Sequence, residues 1–406
     1  MKLIKAYTSV SLVLRIVIGL VIGAILALVV PQATWIGMFG TIFVGALKAI
    51  APVLVLVLVS SSLAQSREKL GSQFVTIVIL YLLSTFLAAV IAVVGSMLFP
   101  VTITLADAAA GYEPAQGIGE VFKTLLGKLV ANPIASVAEG NFLGVLFWAV
   151  VLGIALRAAS ETSKKFLSDL SDAVSTAVRW VINFAPFGIM GLVFAAVSES
   201  GLAIFTEYGK LLALLVGCML FSAFVVNPIM VFICLRKNPY PLVWRCIRQS
   251  GVTAFFTRSS AANIPVNMSL CEELGLDKNI YSVSIPLGAT VNMAGAAVTI
   301  TVMALAAAHT LNMTVYFPVA VLLSVMSALG ACGASGVAGG SLLLIPMACS
   351  LFGIPNDIAM QVVGVGFIIG VIQDSMETAL NSSSDALFTA TAEFREWRKR
   401  GKEIKF

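Results

Sequence analysis

Long runs of apolar residues recur along this chain, and they constrain its fold more than any other feature of the sequence. A helix needs about 20 apolar residues to cross the roughly 30 Å hydrocarbon core of a membrane. Hydrophobic residues make up 59% of the 406 residues, against about 45–50% in a soluble domain. The clearest runs are residues 12–30, 36–59, 74–99, 142–156, 211–235 and 358–372.

Within hydrocarbon, only helices and closed barrels satisfy every backbone polar group. Runs of this length, rich in leucine, valine, isoleucine and alanine, therefore predict an all-α polytopic membrane protein. No polar stretch is long enough to fold as a second domain. We expect residues 1–406 to form a single integrated membrane domain.

The distribution of charge predicts the topology better than the net charge of +5 does. Basic residues cluster in alternate connections, whereas residues 31–35 and 199–207 are neutral or acidic. By the positive-inside rule, both termini are expected in the cytoplasm of a multi-pass protein of the cell (inner) membrane. Residues 394–406 form a basic cytoplasmic tail, for which contact with lipid is the better interpretation than binding of nucleic acid. The basic residues behind this prediction are Lys2, Lys5, Arg67, Lys69, Arg157, Lys164, Lys165, Arg236, Lys237, Arg245 and Arg248.

Residues 250–268 are apolar at the start and polar at the centre. The centre holds Arg258, Ser259, Ser260 and Asn263. Non-helical backbone at membrane depth is tolerated only where it is buried in protein or lines a water-filled cavity. This pattern predicts a re-entrant helical hairpin with a polar tip.

Residues 326–352 follow a similar plan with a centre dense in glycine. Each glycine inside a spanning helix would cost up to about 1 kcal/mol, whereas a non-helical tip would present backbone groups to a ligand. We predict a second re-entrant hairpin here. The alternative is a close helix–helix contact through Gly336 and Gly340.

Each predicted hairpin is followed by a helix that carries an asparagine, Asn292 after the first and Asn381 after the second. The order hairpin then helix therefore occurs twice. Inverted repeats of this kind are typical of secondary transporters, whose sites lie near the bilayer midplane.

Four polar residues of the last long helix fall on one face. Asp374, Thr378, Asn381 and Asp385 are spaced i, i+4, i+7 and i+11, which places them in one stripe of an α-helix. An acid at bilayer depth costs several kcal/mol unless it is paired, hydrated or bound. The stripe therefore predicts a binding site for a solute.

The residues in this region suit sodium and an amino-acid zwitterion. Asp385, Asn381 and Asn292 could supply side-chain oxygens to sodium, and unwound backbone near Gly288, Thr290 and Gly333 could supply carbonyls. Pairing of Asp385 with a lysine or arginine is the alternative. Asp374 suits a substrate ammonium. Ser259, Ser260, Asn381 and the amides of the hairpin tips suit a carboxylate.

The sequence does not favour an enzyme or an organic cofactor. It has no phosphate-binding glycine loop followed by lysine, and its single histidine, His309, is remote from the serines of the first hairpin. Sodium is the only metal ion that we expect, as the coupling ion.

Several motifs together resemble one known family. They are TRSSAANIPVNM (residues 257–268), NMAG (292–295), the glycine-rich hairpin and DSMETALNSSSD (374–385). In this order they resemble the dicarboxylate/amino acid:cation symporters, which have the glutamate-transporter fold. The resemblance is specific over about residues 252–393, and it includes YLLST (81–85) earlier in the chain.

The resemblance implies eight transmembrane helices, two re-entrant hairpins, a homotrimer and an elevator-type mechanism. Residues 1–235 would be mostly scaffold, with the third span shared, and residues 240–393 would form the transport core. By resemblance the substrate-binding residues are Ser259, Ser260, Val337, Asp374, Glu377, Thr378 and Asn381. By resemblance the sodium-binding residues are Gly288, Thr290, Asn292, Met293, Asn381, Asp385, Ala331, Cys332 and Ala334.

Three departures from the family pattern predict the substrate and the coupling. Members that carry acidic substrates have arginine where this chain has Glu377, and threonine where it has Ala296. A glutamate there would repel a side-chain carboxylate and could accept a hydroxyl proton, so we predict small neutral substrates, serine and threonine. In this respect the pattern is closest to the bacterial serine/threonine:sodium symporters. Ala294 replaces an aspartate that helps to build a sodium site in relatives, which predicts coupling to fewer sodium ions.

The sequence leaves alternatives open. A proton-coupled amino acid or dicarboxylate carrier could use Asp374, Glu377 and Asp385 as a relay. An ion or anion channel is an alternative from another functional class of membrane protein, but a channel would not need two occluding hairpins. An intramembrane enzyme would need a nucleophile with a base, which the motifs do not supply.

Overall fold

The computed structural model describes residues 12–65, 72–105, 127, 130–201, 204–332 and 339–404, and this part of the chain contains helices and connections but no β-strand. The first helices are α1 (Leu12–Val29), α2 (Gly37–Ala64), α3 (Ser72–Leu98), α4 (Pro133–Glu139), α5 (Phe142–Ala155), α6 (Glu161–Asn183), α7 (Ala185–Ser200), α8 (Ile204–Phe221) and α9 (Asn227–Leu235). They are followed by α10 (Tyr240–Cys246), α11 (Val252–Thr257), α12 (Ser260–Glu273), α13 (Lys278–Val291), α14 (Ala294–Thr310), α15 (Phe317–Ala331), α16 (Ile345–Ser350) and α17 (Asn356–Lys399).

The helices pack as two groups. In the first, α1, α2, α5, α6 and α7 lie against one another. In the second, α3, α8–α14 and α16 surround α17, and α3 packs mainly on α14, α15 and α17. The two groups meet where α1, α2 and α7 contact α17. The central helix of the second group is thereby enclosed on most of its length.

The predicted polytopic helical fold is confirmed in its coarse form. By length and composition, five stretches of the described chain can each cross a membrane. The pair α6 and α7, two helices that meet at 51°, would form a sixth span. The count of eight spans and two re-entrant hairpins stays a prediction. The stretches of the described chain that can each cross a membrane are Thr34–Ser61, Gln73–Leu98, Phe205–Leu235, Lys278–Thr310 and Asn356–Lys399.

The first polar segment forms two helices joined by a sharp turn at the predicted tip. Arg258 ends α11 in the left-handed conformation, with φ of 52°, which residues other than glycine rarely adopt. Ser259 is extended, and its Oγ accepts a hydrogen bond of 3.2 Å from Ala262 N, which caps α12. Both arms pack against α17, so the turn is held beside the polar stripe.

The second glycine-rich segment also has two helical arms. The first arm is α15, and the second begins with a 3₁₀ turn at Gly340–Leu344 and continues as α16. Gly330 of the first arm lies against Met347 of the second. The predicted tip, with Gly333, Ala334 and Val337, lies outside the described residues.

The backbone between α13 and α14 is interrupted at Asn292 and Met293, and not at Gly288 and Thr290 as the sequence suggested. Gly288 stays helical because its carbonyl accepts a 2.9 Å bond from Asn292 N. Thr290 stays helical with its Oγ1 bonded to Leu287 O at 2.8 Å. The last turn of a helix nevertheless leaves carbonyls without helical partners. Carbonyls near these residues therefore remain candidates for ion ligands.

The last apolar run and the polar stripe belong to one helix of 44 residues, α17. The predicted basic tail, residues 394–406, begins inside this helix, and its first residue, Phe394, is fully buried. Beyond the end of α17, Lys402 Nζ lies 3.3 Å from the centre of the Trp397 ring.

Glycines allow the helices of the first group to touch backbone to backbone. A Cβ on Gly191 of α7 would lie 2.5 Å from Gly40 N and 2.8 Å from Ile36 O. A Cβ on Gly19 of α1 would collide with Pro186 O. Small residues at such crossings are how helices approach closely in membranes.

We predict that Gly191→Ala destabilises the protein, because its methyl group would force backbone atoms apart at a cost of about 1–3 kcal/mol. Gly217→Ala is the matched control, since a Cβ there meets nothing within 4 Å. Thermal unfolding of the detergent-solubilised protein should show a lower Tm for Gly191→Ala and an unchanged or higher Tm for Gly217→Ala. Equal midpoints would contradict the tight crossing.

Candidate functional site

The predicted stripe on α17 is confirmed as a buried polar face. Asp374, Thr378 and Asn381 are each at most 6% exposed, and Asp385 is fully buried. Glu377, three residues after Asp374 and at the edge of the stripe, is also buried. Three carboxyl groups are thus enclosed by protein along three turns of one helix.

Asp374 is paired with Arg258 of the first hairpin turn. Arg258 Nη2 lies 2.6 Å from Asp374 Oδ2, and Arg258 Nε donates to the same oxygen at 2.7 Å. The two side chains are 11% and 6% exposed. The acid that we expect to meet a substrate ammonium therefore already meets a cation of the protein in this conformation.

The cavity beside this ion pair is small. It has a volume of about 20 Å³, which is room for about one water molecule. An amino acid would need the surrounding side chains, Arg258 among them, to move. The polar and hairpin residues that line the cavity are Arg258, Gly339, Leu342, Gln373 and Asp374.

Glu377 is held by neutral donors from three elements. Its Oε2 accepts hydrogen bonds from Thr299 Oγ1 and Ser341 Oγ, each at 2.8 Å, and from Gln373 Nε2 at 2.5 Å. Gln373 also donates to Thr299 Oγ1 at 2.7 Å. Oε1 accepts no hydrogen bond from the described residues.

Asp374 and Glu377 form one polar centre. Asp385 and Asn292 form a second polar centre, at the interruption between α13 and α14. Asn292 Nδ2 donates to Asp385 Oδ1 at 2.9 Å and to Asn381 O at 3.1 Å. Among the described residues, Asp385 Oδ2 and Asn292 Oδ1 are buried without a hydrogen-bond partner. Unpaired buried oxygens of this kind are costly, and a cation that prefers oxygen ligands would satisfy both. The donor set therefore fits sodium, and the alternative that Asp385 pairs with lysine or arginine finds no such contact in the described structure.

Asn381 lies between Glu377 and Asp385 on α17 and bonds to the segment that joins α13 to α14. Its Oδ1 accepts a 2.7 Å bond from Gly295 N, and its Nδ2 donates to Met293 Sδ at 3.4 Å. The side-chain oxygen is therefore partly engaged, although an amide oxygen has a second lone pair.

Two glycines let α13 and α14 approach α17 without side chains between them. A Cβ on Gly288 would lie 2.7 Å from Asp385 Oδ1, and a Cβ on Gly295 would lie 2.7 Å from Glu377 Cα. Gly288, predicted as a sodium ligand, is thus directly beside Asp385. Any larger residue at either position would displace a buried carboxyl group.

The remaining predicted ion residues lie at the end of the second hairpin's first arm. Ala331 is buried, and Cys332 Sγ donates to Val291 O at 3.3 Å. Thr290 and Met293 flank the same interruption. The structure therefore brings these residues together, while Ala334 lies outside the described part of the chain.

The other predicted substrate-binding residues are not all oriented towards a ligand. Ser259 Oγ caps α12, and Thr378 Oγ1 donates to Asp374 O at 2.8 Å. Ser260 is half-buried in the first turn of α12. Val337 cannot be placed because it lies outside the described residues.

Sequence reasoning missed the donors that surround Glu377. Gln373 precedes Glu377 by four residues and so lies on the same helix face, a spacing that could have revealed it. Thr299 and Ser341 come from distant parts of the chain, and no local pattern marks them as partners. The sequence left open whether Arg258 pairs with Asp374 or with Glu377, and the structure shows the pairing with Asp374.

The predicted loss of one acid is visible in the packing around Ala294. Ala294 is fully buried, and the neighbouring Met293 N donates to Thr85 Oγ1 at 3.3 Å. Tyr81 OH lies 3.1 Å from Asp385 O and 2.9 Å from Thr389 Oγ1. The YLLST segment therefore contacts this region, as in the resemblance, but position 294 offers it no carboxylate.

Comparison with known proteins identifies the family of this chain. A sequence model described as the sodium:dicarboxylate symporter family matches residues 12–393. A protein of Bifidobacterium adolescentis named serine/threonine transporter SstT is 63% identical over 399 residues, which cover 98% of this chain and 93% of that protein. Two relatives with the same name come from Streptococcus agalactiae (60% identical over 393 residues, 97% of this chain and 98% of the relative) and Streptococcus thermophilus (58% over 399 residues, 98% and 99%). The family predicted from the motifs is confirmed, and this chain belongs to the sodium:dicarboxylate symporter family.

Proposed function

We propose that this protein is a sodium-coupled symporter that carries small neutral amino acids, serine and threonine, into the cell. Members of its family are symporters, so its function is transport and not catalysis. The three relatives described above, at 58–63% identity, are named serine/threonine transporters. The residues of the site support the same substrate class.

The observation that carries the substrate assignment is the Glu377 carboxyl group. It lies one turn from Asp374, is buried, and has no cation partner among the described residues. A substrate bound by its ammonium at Asp374 would direct its side chain towards this group. A side-chain carboxylate would be repelled there, whereas a hydroxyl would find an acceptor in Oε1.

The coupling ion is proposed to bind at Asp385 and Asn292. The unpaired Asp385 Oδ2 and Asn292 Oδ1 support this assignment, and carbonyls near Gly288 with Asn381 would add further ligands. The second set, at Thr290, Met293 and Cys332, supports another ion at the hairpin. Because Ala294 supplies no acid, we propose coupling to fewer sodium ions than in relatives with an aspartate there.

Transport is proposed to follow the elevator mechanism in a homotrimer of the cell (inner) membrane, with both termini cytoplasmic. The division of the helices into two packed groups supports a transport core that moves against a scaffold. The expected boundaries, residues 1–235 as mostly scaffold with the third span shared and 240–393 as core, are part of this proposal, although α8 and α9 pack with the core as well. The basic residues beyond Phe394 would lie at the cytoplasmic surface.

Proton coupling is the competing function, because Glu377 and Asp385 are buried acids without a cation partner among the described residues. Uptake of labelled serine into proteoliposomes separates the two. Sodium coupling predicts that uptake stops when external sodium is replaced by potassium at constant pH. Uptake driven equally by a proton gradient without sodium would overturn the proposal.

We predict that Asp385→Asn raises the sodium concentration for half-maximal serine uptake by on the order of tenfold or more, because an anionic ligand is lost. The preference for serine over other amino acids should not change first. Asp357→Asn is the matched control, since it makes the same change at an exposed position of the same helix. Identical sodium titrations for the Asp385 variant and the unmodified protein would place the ion elsewhere.

We predict that Asp374→Asn abolishes serine binding, because the substrate ammonium loses its counter-charge, while the protein still folds and assembles. The variant also leaves Arg258 without its acceptor, which costs about 2–3 kcal/mol of stability. The double variant Asp374→Asn/Arg258→Met should recover the Tm but not the binding of labelled serine. Retained serine affinity in either variant would remove the assignment.

We predict that Glu377→Arg lowers serine uptake and admits aspartate to a smaller extent. The gain is limited because Ala296 still lacks a hydroxyl and because the new cation would pair with Asp374. Glu377→Gln is the control, since it removes the repulsion without adding a positive charge and should gain no aspartate uptake. Competition with unlabelled aspartate measures the effect, and strong inhibition of the unmodified protein by aspartate would exclude neutral substrates.

A further inference from the structure

The two oxygens of the Glu377 carboxyl group have different surroundings. Oε2 accepts bonds from Thr299, Ser341 and Gln373. Oε1 has no hydrogen-bond partner in the described part of the chain. Glu377 is 6% exposed. One oxygen is therefore saturated by the protein, and the other is left without a partner among the described residues.

The three donors come from separate elements, and together they fix the orientation of the carboxyl group. Thr299 lies on α14, Gln373 on α17 and Ser341 in the 3₁₀ turn of the second hairpin. Each side chain is buried to within 1%. Three bonds converging on one oxygen oppose rotation that would exchange the two oxygens, because rotation would leave the buried Ser341 hydroxyl without its acceptor, although Thr299 could still bond to Gly295 O at 3.1 Å.

A carboxylate whose hydrogen bonds all go to one oxygen can accept a further donor on the other oxygen. A serine or threonine hydroxyl would satisfy Oε1, whereas alanine would leave it unpaired. Sites built to hydrogen-bond a substrate hydroxyl discriminate strongly against the analogue that lacks it. The preference for a hydroxyl would then depend on the donors that hold Oε2 and not on Glu377 alone.

We propose that Thr299, Ser341 and Gln373 are positioning residues for hydroxyl selectivity: they saturate Oε2 of Glu377 and so direct Oε1 to the β-hydroxyl of the substrate. This inference rests on the proposed transport of serine and threonine. Each positioning residue acts through Glu377 and needs no contact with the substrate. Loss of one of them loosens the carboxyl group and weakens binding of hydroxyl substrates in particular.

The test compares serine with alanine in variants that remove one donor. Thr299→Val keeps the shape of the side chain and removes its hydroxyl, and Thr299→Ser restores the hydroxyl. Ser341→Ala removes the donor of the second hairpin. Ser324→Ala is its matched control, since among the described residues the buried Ser324 hydroxyl bonds only to Ala320 O of its own helix, at 3.1 Å.

Apparent affinities for unlabelled serine and alanine are measured by inhibition of sodium-driven threonine uptake in proteoliposomes. Loss of one hydrogen bond to a charged group should lower serine affinity about tenfold in Thr299→Val and Ser341→Ala. Alanine affinity should stay nearly constant, so the ratio of the two affinities falls. Thr299→Ser and Ser324→Ala should keep the ratio of the unmodified protein.

Equal losses of serine and alanine affinity, or an unchanged ratio in Thr299→Val, would overturn the positioning role, because a purely structural defect weakens both ligands alike. If Ser341→Ala does not assemble, the Thr299→Val and Thr299→Ser pair decides the matter. Failure of the unmodified protein to transport either serine or threonine would refute the proposed function itself. The two failures are therefore distinct.

Discussion

Carboxylates enclosed in an apolar protein must be compensated locally, and the packing around α17 depends on this requirement. Asp374 is compensated by a guanidinium group at 2.6 Å. Glu377 receives three neutral donors on one oxygen. Asp385 receives one amide donor on Oδ1, and its other oxygen has no partner in the described structure. The protein compensates the charge of the three acids less and less along the helix. Asp385 therefore has the greatest need of a bound cation.

The interruptions of helical backbone are arranged around the same face of α17. Arg258 ends α11 at one turn, and Asn292 begins the interruption between α13 and α14. The second arm of the glycine-rich hairpin supplies Ser341. Each break thus delivers a polar group that a continuous helix would have directed elsewhere. The cost of an interrupted helix in an apolar environment is offset by partners for buried acids.

The features that follow from helical spacing could be predicted from the sequence. The spacing of Asp374, Thr378 and Asp385 fixes their common face whatever the tertiary structure, and the structure buries that face. A polar centre within an apolar segment likewise predicted the turn at Arg258. Family motifs pointed to Asn292 and Asp385 as residues of the proposed ion site, and the structure joins them by a bond of 2.9 Å.

The contacts between distant segments could not be predicted in the same way. Arg258 and Asp374 are 116 positions apart, and their pairing depends on how the first hairpin packs on α17. The interruption was expected near Gly288 and Thr290 but occurs at Asn292, because a glycine permits unwinding without requiring it. Thr299 and Ser341 have ordinary sequence contexts. Only the fold shows that they share an acceptor.

Gly288 and Gly295 have one further consequence. Each lies where a methyl group would strike an acid of α17, one beside Asp385 and one beside Glu377, and Asn381 bonds to the segment between them. The short stretch 288–295 is therefore in van der Waals contact with both acidic centres at once. A ligand that shifts this stretch at one centre changes the free energy of the other, and by thermodynamic reciprocity the two ligands alter each other's affinity by the same factor.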